Sequence, residues 1–125
     1  MHFDIAIRQN YIRVYYWGNG DIDRRLSHTV QLITISRIKK QYSFLIDTRD
    51  LDSIMEPLDF TALANYLIAH DLIEQSRIAI LCHESNLRSK ITKFDLNCTG
   101  IRCDVFYEKE PATKWLTELA PSMAS

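Results

Sequence analysis

The chain has 125 residues, a length that suits one domain built on one core. Its 15 basic and 16 acidic residues leave a formal charge of -1 and a pI near 6.4, so no excess of positive charge marks a nucleic-acid or anionic-membrane surface. Three cysteines, Cys82, Cys98 and Cys103, are an odd number without framework spacing, which reads as reduced thiols in a cytoplasmic protein.

The opening stretch FDIAIRQNYIRVYYW predicts two short strands around a turn at Gln9-Asn10. Phe3, Ile5 and Ile7 alternate with polar or small residues, as do Ile12, Val14 and Tyr16, the period of half-buried antiparallel strands. The run Tyr15 to Trp17 could be a binding face, but is more simply a strand with one inward ring and two partly covered ones. A break follows at Gly18–Asp21. From Asp21 to about Lys40 the period becomes helical, with Ile22, Leu26, Val30 and Ile33 at turn spacing. Acids stand at its start, and Arg37, Lys39 and Lys40 at its end complement the helix dipole.

The stretch YSFLI predicts a strand ending at Asp47, followed by an acidic loop from Asp47 to Asp52. Pro57 marks the first turn of a second helix with an apolar face of Phe60, Leu63, Ala64, Leu67 and Ile68. RIAILC, Arg77 to Cys82, is apolar almost throughout, as expected of a strand with helices over both faces. Ser85 is placed to cap a third helix, with Leu87, Ile91, Phe94 and Cys98 at successive turns. Gly100 breaks the chain and IRCDVFY is the last strand. A final helix, opened by Pro111, is expected to bury Trp115, Leu116 and Leu119. The order β-β-α-β-α-β-α-β-α makes this an α/β fold. Its sheet is mixed and five-stranded, with an N-terminal β-hairpin, a parallel remainder and about four helices. A single domain over residues 1–120 and a frayed tail at 121–125 are expected. The first ten residues lack the apolar core of a signal peptide, and no apolar run reaches the length of a membrane span.

Two stretches could carry chemistry. CHESNLRS places Cys82 at a strand end, with Arg88 and Ser89 at the Cys-x5-Arg-Ser/Thr spacing of cysteine phosphatases. In those loops backbone amides and the arginine hold phosphate. Here Glu84 lies inside the would-be anion cradle, no glycine opens the backbone, and His83 follows the cysteine. A buried strand-end cysteine and a solvated arginine account for the same residues. The histidines, His2, His28, His70 and His83, form no metal-binding pair, and no glycine-rich phosphate loop is present, so neither metal nor cofactor is expected. The second stretch is Asp47–Asp52, just past a buried strand, where α/β proteins keep ligand sites. Asp47 is expected to cap local amides. Thr48, Arg49 and Asp50 are expected to be more exposed, so that charge reversal at Arg49 would spare stability.

FLIDTRDL after the first long helix, SRIAIL in the next strand and DVFYEKEPATKWL at the end together resemble the SpoIIAA-like, or STAS-like, family of small bacterial proteins. The likeness covers nearly the whole chain. It implies a fold and a non-enzymatic binding or regulatory role, acting through a protein partner or a small, apolar ligand, with homodimerisation open. In anti-anti-sigma members the loop after this strand reads Asp-Ser-Ser-Gly and its second serine is phosphorylated. Here that position is Arg49 and the glycine's is Asp50, which speaks against the same phosphoswitch. The binding residues so assigned are Thr48, Arg49 and Asp50, with no catalytic residue, no nucleic acid and no membrane span. The alternative is a Cys82-centred phosphatase or rhodanese-type enzyme using Arg88.

Overall fold

A computed structural model describes residues 2–19, 25–52, 58–83 and 87–118. Strand β1 (His2–Ile7) and strand β2 (Ile12–Asn19) form an antiparallel hairpin, in register from His2 opposite Trp17 to Ile7 opposite Ile12. The Arg8 amide donates to the Tyr11 carbonyl at 2.9 Å and closes the turn. Helix α1 (Arg25–Lys39), strand β3 (Ser43–Asp52), helix α2 (Phe60–Ala69), strand β4 (Arg77–Leu81), helix α3 (Leu87–Cys98), strand β5 (Arg102–Phe106) and helix α4 (Lys109–Thr117) follow, with a 3-10 turn at Ile73–Gln75 between α2 and β4. The sheet order is that of the chain, β1-β2-β3-β4-β5, and every pairing after the hairpin is parallel. This is the mixed five-stranded sheet with four helices that the sequence predicts.

The order dictates the layers. Successive right-handed crossovers that all step in one direction put their helices on one face. Leu32 of α1, Phe60, Leu63, Ala64 and Leu67 of α2 and Leu96 of α3 accordingly share one core with Val14, Tyr16, Phe44, Ile46, Ile78 and Ile80. No described strand follows α4, which lies on the other face. There Ala112 and Leu116 close a smaller core on Leu45, Ala79 and Leu81. Strands β3 and β4 are thus apolar on both sides, which is why their sequences read as continuous apolar runs. Asp59 caps α2, its Oδ1 accepting from the Ala62 amide at 3.0 Å, and the Asp59 amide donates to Thr29 Oγ1 at 2.9 Å, joining α2 to α1. Gly100, at φ 93°, ends α3 with the Ile101 amide donating to the Leu96 carbonyl, a turn that favours glycine.

Five expectations are corrected. In α1 the inner face is His28, Thr29, Leu32 and Ser36, while Leu26 and Val30 are exposed. The hydroxyls of Thr29 and Ser36 donate to carbonyls of the preceding turn, so small polar residues can face the core. The His28 ring packs 3.9 Å from Phe3 and fixes the helix's rotation. In α3 the buried residues are Ser89, Thr92 and Leu96, and the apolar series Leu87, Ile91, Phe94 and Cys98 faces outward. Lys93 pairs with Asp104 at 2.9 Å, and the Asn97 amide group exchanges two hydrogen bonds with the Cys103 backbone at 3.0 and 3.2 Å. Both contacts hold that orientation against β5. Trp115 is half-buried between Phe106 and Arg77, because Ala112 and Leu116 take the inner positions of α4. Finally, the acidic loop at 47–52 is strand: β3 runs through it. Ile22, Pro57, Ser85 and Leu119 lie outside the described residues, as does the 121–125 tail. Ile68 is exposed, unlike the rest of its predicted face.

These placements are checked by denaturant unfolding of two variants on one helix. Leu32→Ala, fully buried, is expected to cost about 2–5 kcal/mol. Leu26→Ala, one turn and a half earlier on the outer side, is expected to change stability by less than about 0.5 kcal/mol.

Candidate functional site

Strand β3 is twice as long as β4. Its first half, Ser43 to Asp47, pairs with β4, and among the described residues its second half pairs only with β2, Trp17 opposite Asp50 and Gly18 opposite Leu51. A two-stranded ribbon therefore overshoots the carboxyl edge of the sheet. A register shift between Tyr15 and Trp17 marks a bulge there, the device by which a strand re-aims its side chains. Gly18, at φ 88°, sits within the ribbon in a conformation that side-chain-bearing residues rarely adopt.

Side chains alternate along β2. Ile12, Val14 and Tyr16 enter the larger core, so Arg13, Tyr15 and Trp17 line the opposite face. On that face α4 packs over β3, β4 and β5, and among the described residues no helix packs over the hairpin side. Trp17 is 38% exposed there. Its ring stacks on His2 at 5.5 Å and on Tyr15 at 5.3 Å, and the Arg13 guanidinium lies 4.9 Å from the Tyr15 ring centroid. A ladder of His2, Trp17, Tyr15 and Arg13 runs across the bare sheet.

The ladder ends on a charged network. Asp47 is 1% exposed. Its carboxylate accepts from Arg49 Nε and Nη2, both at 3.1 Å, and from the Arg49 amide at 3.2 Å, and it lies 3.6 Å from Arg13 Nη2. The fork-shaped pairing holds the Arg49 guanidinium above its ordinary pKa, chiefly through the hydrogen bonds to Asp47. The Tyr15 hydroxyl donates to Asp50, and that bond raises the phenol's pKa. On the other side of β3, Thr48 Oγ1 donates to the Leu81 carbonyl at 3.1 Å, and His83 Nε2 shares a 2.7 Å hydrogen bond with the Arg49 carbonyl. These two bonds tie the end of β4 to β3 where the backbone ladder has stopped.

Thr48, Arg49 and Asp50 are thus neighbours, each already engaged. Thr48 and Arg49 are half-buried and Asp50 is exposed. Asp47 does cap a local amide as expected, but its main role is to hold two guanidiniums. Arg49 is consequently no free surface charge, and its reversal would set a carboxylate against a buried one. Sequence reasoning considered Tyr15–Trp17 as a binding face but preferred a core role for the run, and it missed Arg13, His2 and His83 as parts of this edge. The signal available was the strict alternation of Arg13, Tyr15 and Trp17 with core residues, which puts three interaction-prone side chains on one face.

The cysteine motif lies apart in character. Cys82 is 1% exposed, and burial pushes its thiol up from the ordinary value while a hydrogen bond with Ser89 pulls the other way. Burial pushes the Cys103 thiol up to about 12, and Cys98 is exposed. A nucleophilic cysteine needs the opposite shift. Arg88 is exposed, and residues 84–86 of the motif are outside the described set. Among the described residues no group of three metal-ligating side chains occurs, and no helix is long and apolar enough to cross a membrane.

No family model matches the sequence, and no curated protein does. Among solved structures, the chain is similar to an uncharacterised protein of the DUF3478 family with a SpoIIAA-like fold from Shewanella loihica. The match covers 92% of both chains at a TM-score of 0.59 and 21% identity. The chain is therefore a small α/β protein of SpoIIAA-like fold, and the resemblance drawn from its sequence holds at the level of fold.

Two measurements test the site's physical chemistry. Asp47→Ala, which strands the partly buried Arg13 and Arg49, is expected to cost about 1–3 kcal/mol, and Arg49→Glu is expected to lower the melting temperature where Arg49→Lys lowers it less. In alkylation of the native protein at mildly alkaline pH, Cys98 is expected to react first. Cys82 and Cys103 should react at the rate of unfolding. Rapid native modification of Cys82 would contradict its burial.

Proposed function

We propose that the protein is a non-enzymatic binding domain that engages a protein partner in the cytoplasm. Its binding edge is Thr48, Arg49 and Asp50 together with Tyr15 and Trp17 on the overshooting β2–β3 ribbon. The observation that carries this reading is the aromatic and arginine ladder on the sheet face that α4 leaves bare. Trp, Tyr and Arg are the side chains that most often dominate protein interfaces, because each offers a large, stiff contact area with a polar end. Here their orientations are fixed in advance by stacking and by the Asp47 and Asp50 hydrogen bonds, which lowers the entropy lost on binding. Among the described residues no helix covers this sheet face, a shape that suits a protein surface better than a small ligand, which needs most of its own area enclosed. Against the Cys82-centred enzyme stands the buried, upward-shifted thiol.

A photo-crosslinking amino acid in place of Trp17, with a control in place of the exposed Thr117 on α4, tests the reading in cells that express the protein. A discrete adduct is expected from position 17 and none from 117. Asp50→Arg, which removes the acceptor for Tyr15 and reverses an exposed charge, is expected to abolish the adduct while the thermal melt shifts little. An adduct that persists through Asp50→Arg would place the partner elsewhere.

A further inference from the structure

The outward series on α3 has the spacing of a coiled-coil seam. Leu87, Ile91, Phe94 and Cys98 are separated by four, three and four residues. That is the alternation that keeps apolar side chains facing a second helix. Leu87 and Phe94 are each 68% exposed and Ile91 is 46% exposed, so the seam has no partner within the described chain. Beside it lies a groove of about 580 Å³ lined by Phe94, Cys98, Val105 and Tyr107, with Lys90 and Lys93 at its lip.

We infer that this seam is a homodimer interface in which α3 of one chain packs antiparallel against α3 of a second copy. Three features select that occupant. A two-fold axis between residues 92 and 93 sets Ile91 of each chain opposite Phe94 of the other, and Leu87 opposite Cys98, so large residues meet smaller ones along the whole seam. The flank toward α2 carries Arg88 and Asp95, neither of which makes an ion pair with a described residue. In the antiparallel pairing Arg88 of one chain lies beside Asp95 of the other, and the symmetry repeats the contact. On the opposite flank Lys90 meets Asn97, which avoids like charges, and Lys93 is already held by Asp104. Antiparallel helices also align their dipoles favourably. A parallel arrangement would instead set Phe94 on Phe94 and Cys98 on Cys98, and leave Arg88 without an acid. A seam of one 12-residue helix is small, so the association is of the weak, reversible class. It uses the helical side of the sheet, and so neither depends on nor obstructs the β2–β3 ribbon.

Sedimentation equilibrium of the whole chain is the test. Concentration-dependent dimerisation is expected, lost in Phe94→Glu with the circular-dichroism melt retained. Arg88→Asp and Asp95→Arg should each weaken the dimer by about tenfold, and the double variant should restore it. Copper–phenanthroline oxidation of Leu87→Cys should give a disulfide to Cys98 of the second copy, prevented by Cys98→Ser. A chain that stays monomeric to its solubility limit, a double variant no tighter than the singles, or a Cys98–Cys98 disulfide in the unaltered protein would each overturn the arrangement.

Discussion

The structure depends on the handedness of its crossovers. Because β2, β3, β4 and β5 are laid down in chain order, each right-handed connection returns its helix to the same side of the sheet. Three helices crowd one face, and among the described residues α4 alone serves the other. That helix of nine residues packs over β3, β4 and β5, and among the described residues no helix covers the hairpin side. Each strand is then composed for its place. Strands β3 and β4 carry apolar residues on both sides, whereas β2 alternates Ile12, Val14 and Tyr16 inward with Arg13, Tyr15 and Trp17 outward.

The carboxyl edge follows from the same asymmetry. Past Asp47, strand β3 loses β4 but keeps β2, and its backbone groups on the vacated side need other partners. His83 supplies one, bonding the Arg49 carbonyl, and Thr48 in turn donates its hydroxyl to the Leu81 carbonyl at the end of β4. A carboxylate as buried as Asp47 would be costly alone. It is tolerated because Arg49 forks onto both oxygens and Arg13 approaches from the neighbouring strand. Of the two arginines, Arg13 also lies over the Tyr15 ring and so joins the charged network to the aromatic ladder. The edge is therefore at once a fastening between three strands and a stiff polar surface, and the two roles use the same atoms.

The molecule presents two chemically distinct surfaces on opposite faces of the sheet. One is aromatic and charged, ordered by hydrogen bonds. The other is an apolar helical seam with acids and bases arranged along its flank. Helix α3 can expose that seam because its attachment to the body is polar. Asn97 binds the Cys103 backbone, Lys93 binds Asp104, and only Leu96 is a large buried side chain. An apolar stripe freed from core duty in this way is available for association.

The sequence by itself determined the element order, the mixed sheet and the SpoIIAA-like fold, since strand and helix periods and the turn residues Gln9-Asn10 and Gly100 are local signals. It also placed the candidate edge, because charges directly after a buried strand are visible without coordinates. It picked out Thr48, Arg49 and Asp50 but not their engagement: the bonds of Asp50 to Tyr15 and of Thr48 to Leu81, 35 and 33 positions apart, have no local mark. Only the tertiary structure decided which way α1 and α3 face. Hydrophobic periodicity identifies a stripe but not what covers it, and in both helices Thr29, Ser36, Ser89 and Thr92 point inward instead. The run at 47–52 read as a loop for a related reason. Its acids suit turns, and the strand conformation comes from pairing with Trp17–Asn19, residues that a local reading cannot bring alongside.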